Sequence, residues 1–353
     1  MINLKLTLSI AVLVGLAASC SESTVEPPLA PSPLSTEKIN SLTIACPVEV
    51  RVQSLDGEPV EVSYPAITTQ GGDPPVVVDC DPDSGTSFPV GRRGVNCSAT
   101  DKIGQVVSCS FDAVVLSAPQ LSVTKILAFG DSLTAGVVSQ QYIDTIRLAL
   151  ETQNSYPTKL QARLAQAYRT QTISVVNEGL SGEKASEAAS RLQSALSTHN
   201  PDVVLLMEGT NDLGTPGVSV SATVSSMETL VGLIESAGAD VVLATVPPIR
   251  PYGEGENAAL VDPYNINLRS LASRRGVSLV DVHTVITNGN CSASSNVSTP
   301  CVGQDNIHLT REGYSLVAEA FFDRIVALYD SPVAVPTIGL FGHGDVSGML
   351  RKD

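Results

Sequence analysis

Ser132 lies in the stretch FGDSLTAG, directly after the apolar run Ile126-Leu127-Ala128. A serine hydroxyl becomes a nucleophile when a neighbouring base takes its proton, and His308, in DNIH, is the candidate base. Of the 4 histidines it alone has a carboxylate three residues earlier, Asp305, which can accept from Nδ1–H and hold the ring. These three side chains predict ester hydrolysis through a covalent acyl-enzyme. Taken alone, GDSL is also consistent with a strand-to-helix turn, because Gly, Asp and Ser favour turns for backbone reasons.

The elements that must bring these residues together alternate between apolar strands and amphipathic helices from Ser122 onward. Near-continuous runs of valine, leucine and isoleucine predict strands buried on both faces, as in a parallel sheet covered by helices. Such sheets bind ligands at the carboxyl ends of their strands. The predicted strands are KILAFG, TISVVNEG, DVVLLMEG, DVVLATVPP and VSLVDVHTVI, and the predicted helices cover Tyr156 to Ala167, Glu183 to Thr198, Val220 to Ser236, Asp262 to Arg274 and Thr310 to Tyr329.

Four short motifs follow these strands: GDSL after the first, NEGLSG after the second, GTND after the third and DNIH after the fifth. This set, in this order, resembles the SGNH (GDSL) hydrolases, and the resemblance covers residues 122–330. It implies a flavodoxin-like three-layer α/β domain with a five-stranded parallel sheet, in which Ser132, His308 and Asp305 are catalytic and no cofactor or metal takes part.

The same resemblance implies an oxyanion hole formed by the backbone N–H groups of Ser132 and Gly182 and the side-chain amide of Asn211. A glycine leaves the approach to its N–H open, and a neutral amide donates a hydrogen bond without adding a charge. Gly179 lies in the same loop but outside the motif match, so it is not assigned to the site.

Other polar residues near the motifs are assigned structural roles. Asp131 and Asp212 are predicted to brace a turn and a loop, and His199, before Asn-Pro, is predicted to cap helix carbonyls. His283, at the end of the fifth strand, is predicted to lie in the core or at its rim, and His343 belongs to the tail. The sequence contains no Cys-x-x-Cys pair, Walker loop or G-x-G-x-x-G after a strand, which favours cofactor-free chemistry.

Residues 40–118 have a different pattern of short alternating stretches separated by Gly, Pro and Asp, which predicts a small antiparallel β-sandwich. The stretches IACP, PPVVVDCDPDSGTSFPVG and VNCSATDKIGQVVSCSF resemble, in this order, a hyalin repeat, which is an immunoglobulin-like module. The resemblance implies a spacer or adhesive unit without catalytic residues. Four cysteines allow three pairings, which the sequence leaves open: Cys46, Cys80, Cys97 and Cys109.

The first residues predict an exported chain. Lys5 precedes the apolar run Leu6 to Leu16, which is too short to span a bilayer, so residues 1–19 are interpreted as a signal peptide. The small residues before Cys20 resemble a bacterial lipobox, which implies lipidation of Cys20 and attachment to a bacterial membrane. Ser21, rather than Asp, follows it and favours the outer membrane. Ordinary signal cleavage that leaves Cys20 free is the alternative.

The chain has an odd number of cysteines, 7, and lipidation of Cys20 leaves six for three disulfides in an oxidising compartment. Cys291 and Cys301 are predicted to form one of them, steadying the segment that carries the candidate acid and base. The Pro- and Ser-rich residues 20–39 are interpreted as a tether that holds the protein off the membrane. The tail, residues 331–353, is assigned no role.

The charge balance excludes a nucleic-acid partner, because a net charge of -15 with 21 Lys and Arg leaves no basic surface for phosphates. We expect an exported serine esterase that cleaves acyl esters. A carbohydrate or small-acyl ester is favoured as the substrate, because the tether and the hyalin-like module suit an enzyme that reaches an external polymer. Residues 137–157 and the loop PPIRPYGEGENA are predicted to border the pocket. The alternatives are a lysophospholipase or thioesterase-type hydrolase, or a surface adhesion protein with an inert hydrolase domain.

Overall fold

The computed structural model describes residues 40–142, 145–248, 258–289 and 301–331. Within these ranges the chain divides into two compact units, with the boundary between Ala118 and Pro119. No helix in the described ranges is both long enough and apolar enough to cross a membrane. The predicted signal peptide, Cys20, the tether, Cys291 and most of the tail lie outside the described residues.

The first unit is built from strands: β1 (Thr43–Ala45), β2 (Glu49–Gln53), β3 (Val60–Val62), β4 (Thr68–Gln70), β5 (Val77–Asp81), β6 (Thr86–Phe88), β7 (Gly91–Thr100) and β8 (Val106–Leu116). One sheet has the order β2-β8-β7-β5, and two further pairs join β1 to β4 and β3 to β6. All pairs are antiparallel except β2 with β8, which is parallel. The prediction of a wholly antiparallel sandwich is wrong for this pair, because a long connection, unlike a hairpin, lets two strands run in the same direction.

Two disulfides cross-link this unit, between Cys46 and Cys109 and between Cys80 and Cys97. Cys80 on β5 lies directly opposite Cys97 on β7, and Cys97 lies opposite Cys109 on β8. The tertiary structure thus selects one of the three pairings that the sequence leaves open. The bonds lie beside a small core that includes the fully buried Phe88.

The second unit contains a five-stranded sheet made of β9 (Lys125–Gly130), β12 (Ser174–Gly179), β13 (Val203–Met207), β14 (Asp240–Ala244) and β15 (Ser278–Val280). Its order is β12-β9-β13-β14-β15, and every neighbouring pair is parallel. The predicted five-stranded parallel sheet is confirmed. Because the strand order reverses at β9, the loops that follow β9, β12 and β13 gather at one point, where such sheets bind ligands.

Helices cover both faces of this sheet: α1 (Ser132–Ala135), α2 (Tyr156–Ala167), α3 (Ala189–His199), α4 (Thr210–Leu213), α5 (Val220–Ser236), α6 (Ala258–Arg275), α7 (Val282–Asn288) and α8 (Arg311–Tyr329), with a 3-10 turn at Thr152–Asn154. Along β9, Ile126 and Ala128 pack in the core with α2, α7 and α8. Leu127 and Phe129 point the other way, into the core with α3, α5 and α6. This alternation explains why the strand has apolar residues at every position.

The fifth predicted strand is too long. Strand β15 ends at Val280, and the residues VHTVITN form α7 instead. The Asp281 side chain accepts a hydrogen bond from the Thr284 N–H and so caps this helix. A capping aspartate inside an apolar stretch is the local signal that separates helix from strand here.

The sequence predicts no strands for the residues that directly follow Ser132, but the structure contains two. Two antiparallel strands, β10 (Val137–Tyr142) and β11 (Thr145–Leu150), form a hairpin within the predicted pocket border. Ser139 on β10 is buried, and its hydroxyl lies 3.4 Å from the backbone nitrogen of Asp305. Helix α3 begins at Ala189 rather than at Glu183, and residues 185–188 before it form turns.

Candidate active site

Ser132 is the first residue of α1, and only Asp131 separates it from the end of β9. The Asp131 carboxylate accepts a hydrogen bond from the Leu133 N–H at 2.8 Å and caps this short helix, as the turn-forming prediction expects. Gly136 ends the helix in the left-handed conformation, with φ 95°. Ser132 is 7% exposed, so the candidate nucleophile lies in a densely packed turn with little access to solvent.

Two glycines let α1 sit against the ends of three strands. A Cβ on Gly179, at the end of β12, would lie 2.1 Å from the backbone nitrogen of Ala135. A Cβ on Gly130 would lie 2.3 Å from the Met207 carbonyl oxygen of β13. Gly179 lies outside the LSG match that assigns Gly182 to the site, and only the packing shows that position 179 has no room for a side chain.

His308 and Asp305 lie beside Ser132, as the triad hypothesis requires. The Nε2 atom of His308 is 2.9 Å from the Ser132 Oγ, and its Nδ1 is 2.5 Å from an Asp305 oxygen. With the Nδ1 proton directed at Asp305, Nε2 is free to accept the serine proton. Burial acts to raise the pKa of Asp305, but hydrogen bonds from His308 and the Ile307 N–H hold it below its ordinary value.

The loop that carries this acid and base is closed by its own backbone. The Gly303 N–H donates to the His308 carbonyl at 2.8 Å, and the Thr310 N–H donates to the Cys301 carbonyl at 3.0 Å. Cys301 is disulfide-bonded, and its predicted partner Cys291 lies outside the described residues. The short loop therefore presents Asp305 and His308 as one unit.

The predicted oxyanion donors lie on the loops after the same three strand ends. Gly182 is exposed and has φ +83°. It is the third residue of a turn in which the Glu183 N–H donates to the Leu180 carbonyl at 3.1 Å. Among the described residues, neither the Gly182 nor the Ser132 N–H has an acceptor. The Asn211 amide donates to the Glu183 carbonyl at 2.7 Å.

Asp212 ties two of these loops together. Its carboxylate accepts hydrogen bonds from the backbone N–H groups of Ala185 at 2.7 Å and Ser186 at 3.3 Å. The loop after β12 is thereby held against the start of α4, next to Asn211. The loop-bracing role predicted for Asp212 is confirmed.

Two buried acidic side chains lie next to the candidate site. The sequence assigns Asp131 only to a turn and does not single out Glu208. Asp131 and Glu208 are both fully buried. Burial raises the pKa of Asp131 to about 6. Burial and the charges of Asp131 and Glu183 raise the pKa of Glu208 well above its ordinary value. The only sequence signal for Glu208 is an acid at the end of the apolar run VVLLM.

The other histidines of the described ranges do not join the triad. His199 is in the last turn of α3, but its Nε2 is 2.8 Å from a Glu178 carboxylate oxygen, so the prediction that it caps carbonyls is wrong. The acid on the neighbouring strand offers a stronger acceptor than a helix carbonyl. His283 lies at the start of α7, partly exposed, with its Nε2 3.2 Å from Asp262.

The assembled groups are those needed for acyl transfer: a hydroxyl, a base held in one tautomer by a carboxylate, and N–H donors on neighbouring loops. Within the ranges that the structure describes, no group of three or more His, Cys, Asp or Glu side chains is placed to hold a metal ion.

The sequence profile of the GDSL-like Lipase/Acylhydrolase family matches residues 128–316. An arylesterase from Vibrio mimicus is 30% identical over 149 residues, which are 42% of this chain and 68% of that protein. Among solved structures, an aryl esterase from M. smegmatis aligns with a TM-score of 0.48 at 24% identity, over 58% of this chain and 99% of its own. An acetylxylan esterase from Geobacillus stearothermophilus aligns with a TM-score of 0.46 at 20% identity, over 57% and 94%.

Proposed function

The chain belongs to the GDSL-like lipase/acylhydrolase family and is an ester-bond hydrolase, and we propose that it is an exported serine esterase acting on carbohydrate or other small-acyl esters. One observation carries the catalytic part of this proposal. The two ring nitrogens of His308 lie 2.9 Å from the Ser132 hydroxyl and 2.5 Å from the Asp305 carboxylate.

In the proposed mechanism, the Ser132 oxygen attacks the ester carbonyl while His308 Nε2 takes the serine proton. Asp305, ionised because its pKa is lowered, stabilises the imidazolium that forms. His308 then gives the proton to the departing alkoxide or aryloxide, and an acyl group remains on Ser132. Water, deprotonated by the same nitrogen, attacks this acyl-enzyme, and the acid product leaves as the serine recovers its proton.

The negative oxygen of each tetrahedral intermediate would bind to the N–H groups of Ser132 and Gly182 and to the Asn211 amide. Support for this comes from the two backbone donors, which have no acceptor in the part of the chain that the structure describes, and from the bond that holds Asn211 beside the Gly182 loop. Loss of a single such donor typically costs about a hundredfold to a thousandfold in kcat.

The substrate class is proposed on two grounds. The relative from Vibrio mimicus is an arylesterase, which supports a small ester as the substrate. The Pro- and Ser-rich tether and the hyalin-like first unit suit an enzyme that reaches an external polymer from a membrane anchor at Cys20. Mass analysis of the mature N-terminus tests the lipid.

The test of the function is hydrolysis of p-nitrophenyl esters from acetyl to palmitoyl, together with acetylated glycans, by the wild type and by Ser132→Ala. We expect hydrolysis to be fastest with acetyl esters and to fall by at least about 10⁴-fold in the variant. Ser225→Ala, which removes an exposed hydroxyl on α5, is the matched control and is expected to keep full activity. Activity that survives Ser132→Ala refutes the mechanism, and a preference for palmitoyl refutes the substrate class.

A further inference from the structure

Arg191, in the first turn of α3, links the ends of two strands to the loop that carries Gly182. Its Nη1 donates to the Glu178 carbonyl of β12 at 2.8 Å, and its Nη2 donates to the Gly130 carbonyl of β9 at 3.3 Å. The guanidinium carbon lies 3.8 Å from the centre of the Phe129 ring. One side chain therefore joins the carboxyl ends of the neighbouring strands β12 and β9.

Nη1 also lies 3.4 Å from a Glu178 carboxylate oxygen, and the other bonds of this arginine go to Glu183, the residue after Gly182. Nε donates to one carboxylate oxygen at 2.7 Å and Nη2 contacts the other, so the pair is bidentate. The Glu183 side chain is 6% exposed, and the arginine is its counter-charge. A bidentate pair that is largely removed from water holds both partners in one orientation.

The turn from Leu180 to Glu183 is consequently attached at both ends to the same carbonyl. The Leu180 N–H donates to Gly130 at 2.8 Å, and Glu183 reaches Gly130 through Arg191. Gly130 is two residues before Ser132 in the chain. The direction of the Gly182 N–H relative to the Ser132 oxygen is thus set by these two attachments.

The orientation of Asn211 also depends on Glu183. One of its amide hydrogens is directed to the Glu183 carbonyl at 2.7 Å, and the nitrogen lies 3.5 Å from an Asp131 oxygen, longer than an ordinary hydrogen bond. The strong bond fixes the plane of the amide and leaves the second hydrogen available for an oxyanion. Movement of Glu183 would turn this amide.

We propose that Arg191 and Glu183 are positioning residues for the oxyanion hole, orienting the Gly182 N–H and the Asn211 amide without touching the substrate. This inference rests on the proposed function of Ser132. Because the pair acts on donors that bind the developing charge, its loss should reduce kcat and leave KM nearly unchanged.

The experiment compares kcat and KM for p-nitrophenyl acetate in the wild type, Arg191→Lys and Glu183→Gln. Lysine keeps the charge but lacks the planar fork, and glutamine keeps the shape but lacks the charge. We expect each variant to lose about tenfold to a hundredfold in kcat, less than deletion of a whole donor. Arg275→Lys, which alters an arginine–glutamate pair of the same unit with Glu235, is expected to leave kcat and KM unchanged.

A double-variant cycle with Asn211→Ala separates positioning from general loss of structure. If the pair acts partly through Asn211, the loss in Arg191→Lys/Asn211→Ala is smaller than the product of the two single losses by about tenfold. Fully multiplicative losses, an unchanged kcat or an effect on KM alone would overturn the proposal, and so would failure of both single variants to fold. Activity retained by Ser132→Ala would instead refute the underlying function.

Discussion

Replacing Asp131 by asparagine is expected to make the stability of the hydrolase unit less dependent on pH in the weakly acid range. Burial raises the pKa of Asp131 from 3.8 to about 6 in the folded protein. Between pH 3.8 and about pH 6, the Asp131 carboxyl group is ionised in the unfolded chain and protonated in the folded chain. The stability contributed by this group is fully present below 3.8 and is lost as the pH rises through about 6.

The magnitude follows from these two pKa values. At about 1.4 kcal/mol per pKa unit, the difference between the unfolded and folded pKa values corresponds to about 3 kcal/mol in the free energy of unfolding. About 2 kcal/mol of this is lost between about pH 4 and about pH 7. Asparagine does not ionise, and its amide oxygen can still accept from the Leu133 N–H. The buried Glu208 is present in both proteins, but the Asp131 charge helps to raise its pKa, so Asp131→Asn lowers that pKa and flattens the curve of the variant further.

The assay is urea unfolding followed by far-ultraviolet circular dichroism, because all helices of the described residues belong to this unit and the chain has no Trp. The free energy of unfolding of the wild type should fall relative to that of Asp131→Asn by about 2 kcal/mol from about pH 4 to about pH 7. Parallel curves for the two proteins over this range would refute the reasoning.

Asp281→Asn is the control with the opposite sign. Burial acts to raise the pKa of Asp281, but hydrogen bonds from Arg269 and the Thr284 N–H lower it to about 2. The stability that this carboxylate contributes is present above 3.8 and is lost only as the pH falls through about 2. Because the side chain is about one-third exposed, we expect Asp281→Asn to cost about 1 kcal/mol, nearly the same at both pH values.

Two further substitutions test the geometry of the site. Asp305→Asn should lower kcat for p-nitrophenyl acetate by about 10⁴-fold. The new amide donates to His308 Nδ1 and leaves the proton on Nε2, which then cannot accept the serine proton. A loss under about tenfold would contradict the assigned tautomer. In Gly179→Ala the new Cβ meets the Ala135 nitrogen at 2.1 Å and must displace α1. We expect a loss of about 1 to 3 kcal/mol in thermal unfolding together with reduced kcat, and an unchanged melting temperature with full activity would contradict the steric argument.

Residues that act within a short stretch were predictable from the sequence. The spacing of Asp305 and His308 lets one turn bring carboxylate and imidazole together, and the apolar run before Ser132 predicts a buried strand that delivers the serine to the edge of the sheet. Strand β9 and helix α2 begin and end at the predicted residues. The hairpin β10–β11 was not predicted, because its packing against the His308 loop, more than a hundred residues away, stabilises it.

The sequence by itself determined the order of the five parallel strands and of the long helices between them, and the residue types that can hydrolyse an ester, because apolar periodicity and local turn chemistry depend on near neighbours in the chain. The tertiary structure alone decided the disulfide pairing of the first unit, the close approach at Gly179 and the bonds of Arg191 to Gly130 and Glu183. These contacts join residues whose separation in the chain has no fixed value. No spacing rule encodes them, and they exist only once the strand ends have met.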